Sequence, residues 1–379
     1  MTIAAEAADP VPMLDTAAAW AELAHELEPA VLEVLRSGRW VLGETVARFE
    51  REVAAVLGVP HAIGVASGTD ALQLALMALD VRPGDEVVTT PFTFFATAST
   101  IARLGAVPVF ADVRPDDLLL DVEQVERVIG PRTRVVLPVH LYGQCVDPAA
   151  FADLARRRGV ALLEDAAQAI GASRDGVVAG ALGALAAFSF YPTKNLGAAG
   201  DGGLVTTGDP DLAERVRRLR EHGARDRYHH LEIGLNSRLD AVQAAILSVR
   251  LRHLAEWNAA RQAIAERYDR LLAEAGLLDR VRPLARAASA VHAWHQYVVR
   301  VAARDRVQEV LQARGIGCAV YYPVPLHLQP CFAHLGGRPG DLPVAERAAA
   351  EVLALPIHPG LRPEQQERVV ATLAAALGS

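Results

Sequence analysis

One of the 38 basic side chains in this chain is a lysine, Lys194, and every other is arginine. The two cations differ in one chemical respect. A lysine amine can lose its proton and attack a carbon, whereas a guanidinium stays charged at any working pH. A position that keeps lysine where arginine serves everywhere else is a candidate for covalent chemistry with a carbonyl compound. Lys194 stands in Phe188-Ser-Phe-Tyr-Pro-Thr-Lys-Asn-Leu-Gly197, where an apolar strand pattern delivers Ser189 and then the lysine in a loop. Gly200, Gly202 and Gly203 follow, a turn that permits close backbone approach. No Gly-Lys-Ser/Thr is present, so this is not a P-loop, and no GxGxxG follows a first strand.

Three further stretches carry polar chemistry. Val160 to Asp165 is an apolar run ending in two acids, and a carboxylate at the end of a buried strand is costly unless a cation meets it. Asp165 is the preferred partner for such a cation, but the residues alone barely separate it from Glu164. Gln168 lies one turn on. Ala66-Ser-Gly-Thr-Asp70 ends a strand pattern and precedes a helical run, Ala71 to Leu79. There Gly68 lets the backbone approach an anion and Thr69 adds a hydroxyl, although the same residues also make an ordinary helix cap. Pro91-Phe-Thr-Phe-Phe-Ala96 offers Phe94 or Phe95 as an aromatic face, with core packing as the plainer role. An amine for an aldehyde, a carboxylate for a ring nitrogen, an anion cradle and a flat apolar face are what pyridoxal 5′-phosphate (PLP) requires.

These residues need elements to hold them. Strand patterns run over Ala62 to Ala66, Glu86 to Thr90, Val107 to Asp112, Arg134 to His140, Val160 to Asp165, Ala184 to Phe190 and Gly203 to Thr207. Most are short and apolar without alternation, as parallel strands covered on both faces are. Asp147-Pro148 opens a helix that ends at Gly159, and Asp209-Pro210 opens one that ends at Gly223. Strand-helix repetition predicts an α/β fold with a large, mostly parallel, doubly wound sheet. A long helical pattern from Ser237 to about Ala275 leads to a tail with a strand (Gln296 to Val301) and a helix (Arg306 to Gly315). The expected division is a large domain over residues 1–250 and a smaller α+β domain over 251–379.

Composition narrows the partners. A net charge of −7 argues against nucleic acid or an anionic membrane surface, which call for basic patches. The opening MTIAAEAADPVP lacks the basic start of a secretory leader, and no run of about 18 apolar residues suggests a membrane span. Cys145, Cys318 and Cys331 are odd in number and widely spaced, which predicts reduced, buried thiols in a cytoplasmic protein and no metal site.

The motifs together resemble those of the DegT/DnrJ/EryC1/StrS family, the nucleotide-sugar aminotransferases of PLP fold type I. The matching stretches are SGTDALQLAL, PFTFFATA, PVHLYGQ, LLEDAAQAIGA, SFYPTKNLGAAGDGG, YHHLEIGLNSRLDAVQAAIL and YYPVPLHLQPCF, and they span roughly residues 30 to 360. The resemblance implies that Lys194 carries the Schiff base, Asp165 pairs with the pyridine nitrogen and Gln168 meets the ring oxygen. It implies that Gly68, Thr69 and Ser189 hold the phosphate and that Phe94 stacks on the ring. Asn236 is similar to a residue that reaches the phosphate from a neighbouring subunit, which calls for a homodimer with shared sites. Tyr321, His327 and Arg238 resemble substrate contacts. Asp201 departs from the glutamate that many relatives carry in the glycine turn. Relatives with histidine in place of the lysine catalyse dehydration, so lysine favours transamination.

The implied reaction moves an amino group from an amino acid, L-glutamate foremost, to a keto group on a nucleotide-linked sugar. The NSRLD and HLQP stretches are nearer to enzymes of 3-keto than of 4-keto sugars, with an aminocyclitol ketone as a third option. A PLP-binding regulator without turnover would need a DNA-binding helix-turn-helix and a basic face, and the sequence shows neither.

Overall fold

The computed structural model describes residues 9–378. Residues 1–8, most of the stretch read against a leader, lie outside the described residues. Seven strands form the central sheet: β1 (His61–Val65), β2 (Glu86–Thr89), β3 (Val107–Phe110), β4 (Thr133–Leu137), β5 (Ala161–Asp165), β6 (Leu185–Ser189) and β7 (Gly203–Thr207). Their spatial order is β1-β7-β6-β5-β4-β2-β3. Every pair from β6 to β3 is parallel, and β7 alone runs against both its neighbours, β1 and β6. The carboxyl ends of β1, β2, β4, β5 and β6 therefore leave the sheet at one edge, and β7 begins there. Ligands of open α/β sheets bind at that edge.

The strands are short because both faces are covered. Leu162, Leu163, Leu185, Ala186, Leu204 and Val205 are all buried, with helices over them. The helix Gly68–Ala78, here α1, is apolar nearly all round and enters that core at once after β1. The helix Pro148–Arg158, whose Phe151 and Leu154 join the same core, has the caps its sequence predicts. Asp147 accepts from the Ala150 N–H at 3.0 Å, a contact worth about 1 kcal/mol, and Gly159 closes the helix in the left-handed region at φ 65.

Four expectations change. The strand begun at Val107 stops at Phe110, because Asp112 turns to accept from the Val344 and Ala345 N–H groups at 2.9 and 3.0 Å. The helix after Pro210 ends at Leu219, four residues short of Gly223. The Leu219 carbonyl accepts from Leu235 at 2.7 Å and the Arg220 carbonyl from Ser237 at 2.9 Å, so this end is pinned to the Gly-Leu-Asn-Ser-Arg segment. The helical run after Ser237 is two helices, Ala241–Leu251 and Leu254–Glu274, separated by Arg252 and His253. Arg252 reaches back to Glu26 at 2.6 Å on the N-terminal helix Thr16–Ser37. Cys331 is exposed, on the short turn of helix at Pro330–Leu335, whereas Cys145 and Cys318 are buried.

Beyond Glu274 a three-stranded antiparallel sheet forms from Val281–Pro283, Tyr297–Val301 and Val352–Leu355. Its core stacks Tyr268 on Tyr297 at 4.9 Å and includes Val11. Val11 bridges to Ile316, exchanging backbone hydrogen bonds with Gly315 and Gly317 at 2.9 and 2.7 Å. No helix among the described residues is long and apolar enough to cross a membrane. No group of three or more metal-ligating His, Cys, Asp or Glu residues forms among them either.

Candidate active site

The strand ends at the common edge bring together most of the polar residues singled out in the sequence. β5 delivers Glu164 and Asp165 on opposite faces, as alternate strand residues must be. Glu164 is wholly enclosed and fully matched. Its Oε1 accepts from the Leu182 and Gly183 N–H groups, both at 2.8 Å, and its Oε2 from Gly180 N–H at 2.9 Å and His140 Nε2 at 2.8 Å. His140 Nδ1 accepts from Val146 N–H at 3.3 Å, so the ring proton sits on Nε2, toward Glu164. That carboxylate is a brace for the 180–183 turn.

Asp165 is buried with fewer partners. Thr97 Oγ1 donates to Oδ2 at 2.7 Å and Ala167 N–H to Oδ1 at 3.2 Å. Burial pushes its carboxyl above the usual aspartate range, opposed by the Thr97 and Ala167 bonds and by the charge of Lys194. An ionised carboxylate has about four acceptor positions, so Asp165 keeps room for another donor. A protonated ring nitrogen is such a donor.

Lys194 leaves β6 on a loop held by its own backbone bond to the Tyr191 carbonyl at 2.8 Å. The next residue fixes the loop: Asn195 Nδ2 donates to Asn258 Oδ1 at 2.8 Å and to the Ala293 carbonyl at 2.6 Å. Burial pushes the Lys194 amine down to about 8, and only the Asp165 charge opposes it. Near neutrality a usable fraction of this amine is an unprotonated nucleophile. His295 stands close by, held by burial and the Lys194 charge well below the ordinary histidine value.

The anion cradle lies where β1 meets α1. Ser67 caps the helix by accepting from Asp70 N–H at 3.1 Å, and the first-turn N–H groups of Gly68 and Thr69 have no intrahelical acceptor. A Cβ on Gly68 would meet Ser189 Cβ at 2.6 Å, so only glycine lets α1 close against β6. Gly68, Thr69 and Ser189 thus share one corner, at the positive end of a helix dipole. Gln168 is buried beside Asp165: its Oε1 accepts from Tyr142 N–H at 2.5 Å and its Nε2 donates to Tyr322 Oη at 3.0 Å. Phe94 is 58% exposed, with its ring 6.4 Å from that of Tyr322, and so stands at an open edge of the site.

The remaining candidates are placed differently. His327 is buried, and its Nε2 pairs with Glu346 at 3.1 Å, while Nδ1 has no partner. Tyr321 is half-buried, and its carbonyl accepts from the Tyr142 hydroxyl. Asn236 and Arg238 flank Ser237, whose Oγ accepts from Ala66 N–H at 3.1 Å, but Asn236 is exposed. Arg238 makes no hydrogen bond or ion pair among the described residues. Sequence reasoning missed Thr97, Tyr142 and Tyr322. Thr97 had a signal: Thr93 stands four residues before it, ahead of the helix Ala96–Arg103, and their hydroxyls meet at 3.1 Å.

The carboxylate with spare acceptor positions, the depressed amine and the glycine-tight helix N-terminus fit PLP. Comparison with known proteins agrees. The profile of the DegT/DnrJ/EryC1/StrS aminotransferase family matches residues 21–374. The chain is 49% identical over 364 residues to the pleiotropic regulatory protein of Geobacillus stearothermophilus, covering 96% of this chain and 98% of that one. It is 48% identical over 360 residues to the dTDP-3-amino-3,4,6-trideoxy-alpha-D-glucose transaminase of Streptomyces venezuelae, covering 95% and 94%. It is 44% identical over 367 residues to the UDP-N-acetyl-3-dehydro-alpha-D-glucosamine 3-aminotransferase of Acidithiobacillus ferrooxidans, covering 97% and 98%. Among solved structures, DesV of S. venezuelae superposes with a TM-score of 0.93 at 47% identity, covering 97% of this chain and 98% of that one. NtdA of Bacillus subtilis, solved with bound cofactor PMP, superposes at 0.90 with 30% identity, covering 98% and 86%. This chain belongs to the DegT/DnrJ/EryC1/StrS aminotransferase family and is a pyridoxal-phosphate-dependent aminotransferase.

Proposed function

We propose that Lys194 is the attachment point and proton carrier of this enzyme, and that it moves an amino group from L-glutamate to a 3-keto, nucleotide-linked sugar. The observation that carries the reading is that the sole lysine, its amine lowered to about 8, lies near enough to Asp165 for the two charges to act on each other, while Asp165 keeps acceptor positions to spare. When bound, PLP supplies an aldehyde carbon and an electron sink. The protein does the rest. Lys194 Nζ, when unprotonated, would take up and carry the proton of the donor's Cα. Asp165 would hold a proton on the ring nitrogen, and the Thr97 bond favours its charged form. Gln168 orients the ring edge through Tyr142 and Tyr322. Gly68, Thr69 and Ser189 take the phosphate, and Phe94 covers the ring.

Asn236 belongs in this reading to a second subunit's site. Its segment carries Tyr228, Leu231 and Ile233, which are 76%, 60% and 91% exposed, an apolar face suited to a homodimer. Tyr321, His327 and Arg238 are assigned to the sugar substrate. The domain division falls near residue 250, with residues 9–13 lying against the second domain, and three free thiols suit a cytoplasmic setting. Relatives named for 3-amino sugars support the 3-keto choice, with 4-keto sugars and aminocyclitols as alternatives. One relative's regulatory name favours a sensor reading, which L-glutamate tests directly. On addition to the holoenzyme, the visible cofactor band should bleach and 2-oxoglutarate should appear. A panel of 3-keto and 4-keto sugar nucleotides should then restore the band fastest with a 3-keto compound. Restoration by 4-keto sugars alone refutes the choice of carbon.

A further inference from the structure

A cavity of about 300 Å³ reaches Lys194. It is enclosed by the N-terminal stretch, the Pro192–Asn195 loop, the junction of the helices Ala241–Leu251 and Leu254–Glu274, and the turn around His358. The space holds about ten waters at ~30 Å³ each, or one small dicarboxylate. Apart from the exposed Arg362, its charges are sorted by depth. The acids on its wall, Asp9, Asp15 and Glu22, are exposed, and Asp15 uses an oxygen to cap the first helix at Ala18 N–H, 2.8 Å away. The buried cations are Arg261, 4% exposed, and the half-buried Arg250. Neither has a carboxylate partner among the described residues.

Arg261 donates through Nη1 to the carbonyls of Trp294 and Ile357, at 3.2 and 2.7 Å, while its Nε is unmatched. The Arg250 guanidinium lies 5.3 Å from the Trp257 ring centre, and its Nε is also buried without a partner. His358, on the same wall, has Nε2 unmatched. Burial without a counter-charge lowers the Arg261 guanidinium to about 10 and lowers Arg250 as well. A buried guanidinium lacking an anion is costly, and two beside one cavity call for a negative guest.

We infer that this cavity takes the side-chain carboxylate of a dicarboxylic amino donor, with Arg250 and Arg261 as its counter-charges and Lys194 at its inner wall. The inference rests on the reading of L-glutamate as donor and adds the residues that select it. No bond is made or broken at this subsite. The oxygen pair of the carboxylate would meet the guanidinium groups where they line the cavity, leaving the α-amino end toward Lys194.

The test uses the purified holoenzyme and follows the visible cofactor band with L-glutamate and with L-alanine, which lacks the second carboxylate. Arg250→Gln should lower the selectivity for glutamate over alanine about tenfold, the worth of one charge-assisted contact. An unchanged ratio overturns the inference. Calorimetric titration with glutarate gives a second readout that needs no turnover. Glutarate should bind the unaltered holoenzyme, bind about tenfold more weakly to Arg250→Gln, and outbind propionate by a similar factor. No glutarate binding overturns the inference too. If glutarate binds yet L-glutamate leaves the band unchanged while another amino acid bleaches it, the cavity stands and the choice of donor falls.

Discussion

Glu164 and Asp165 are adjacent, equally apolar in their setting and both buried, yet the two faces of β5 treat them oppositely. On one face Glu164 meets three backbone N–H groups and His140, which fills about four acceptor positions. On the other, Asp165 meets Thr97 and Ala167 and stops there. The difference teaches that a buried acid is not in itself a sign of chemistry. A saturated carboxylate holds a fold together, and an unsaturated one beside a low-pKa amine waits for a ligand.

Substitutions break the comparison if the roles are reversed. Asp165→Ala should lower kcat at least about a thousandfold, near 4 kcal/mol, with the cofactor still retained, as read by steady-state rates and absorbance. Near-normal kcat would contradict the assignment. The same residue leaves a mark on stability. Its folded carboxyl holds the proton to a higher pH than the unfolded chain does, so the cofactor-free protein should lose stability as pH rises through the folded value. Asp165→Asn should remove that loss in urea titrations.

Glu164→Gln should act the other way round, costing about 3 kcal/mol of stability by urea denaturation, since it unmatches a buried brace. Turnover per folded molecule should change far less than in Asp165→Ala. A variant as stable as the parent and yet inactive would put Glu164 in the chemistry. Lys194 sharpens the contrast further. Cofactor capture by the cofactor-free protein should rise with pH along a curve centred near 8, not near the ordinary 10.5. Because the folded amine gives up its proton first, this group adds stability as pH rises from about 8 toward 10.5. The smallest effect belongs to Thr97→Val, which removes a donor that favours the charged Asp165. The acid limb of kcat should move to higher pH, with turnover lowered about tenfold or less. An unmoved pH profile would show that Thr97 serves packing alone.

Much of this was legible before any coordinates. The seven strands follow the apolar runs, and caps such as Asp147 and Gly159 mark helix ends, because those signals are local. The choice between Glu164 and Asp165 was not local. It is set by the turn at 180–183 and by His140, which no spacing near β5 announces. The early end of the helix after Pro210 and the shortened strand at Val107 have the same cause. Each is fixed by a partner distant in sequence, Leu235 in one case and Val344 in the other. Tyr322 reaches Gln168 from the far side of the chain. The setting of Asn236 shows the limit on the other side: a residue exposed within one chain gives no geometric account of itself there.

The bridge between Val11 and Ile316 has a consequence for synthesis. A ribosome delivers residue 11 about 300 residues before residue 316, so the first segment has no docking partner until that later stretch has emerged. The central sheet can assemble meanwhile, but the pocket wall built from residues 9–19 closes only once residues 316 and 358 have followed. A bulky fusion at the amino terminus should therefore slow maturation more than the same fusion at the carboxyl end.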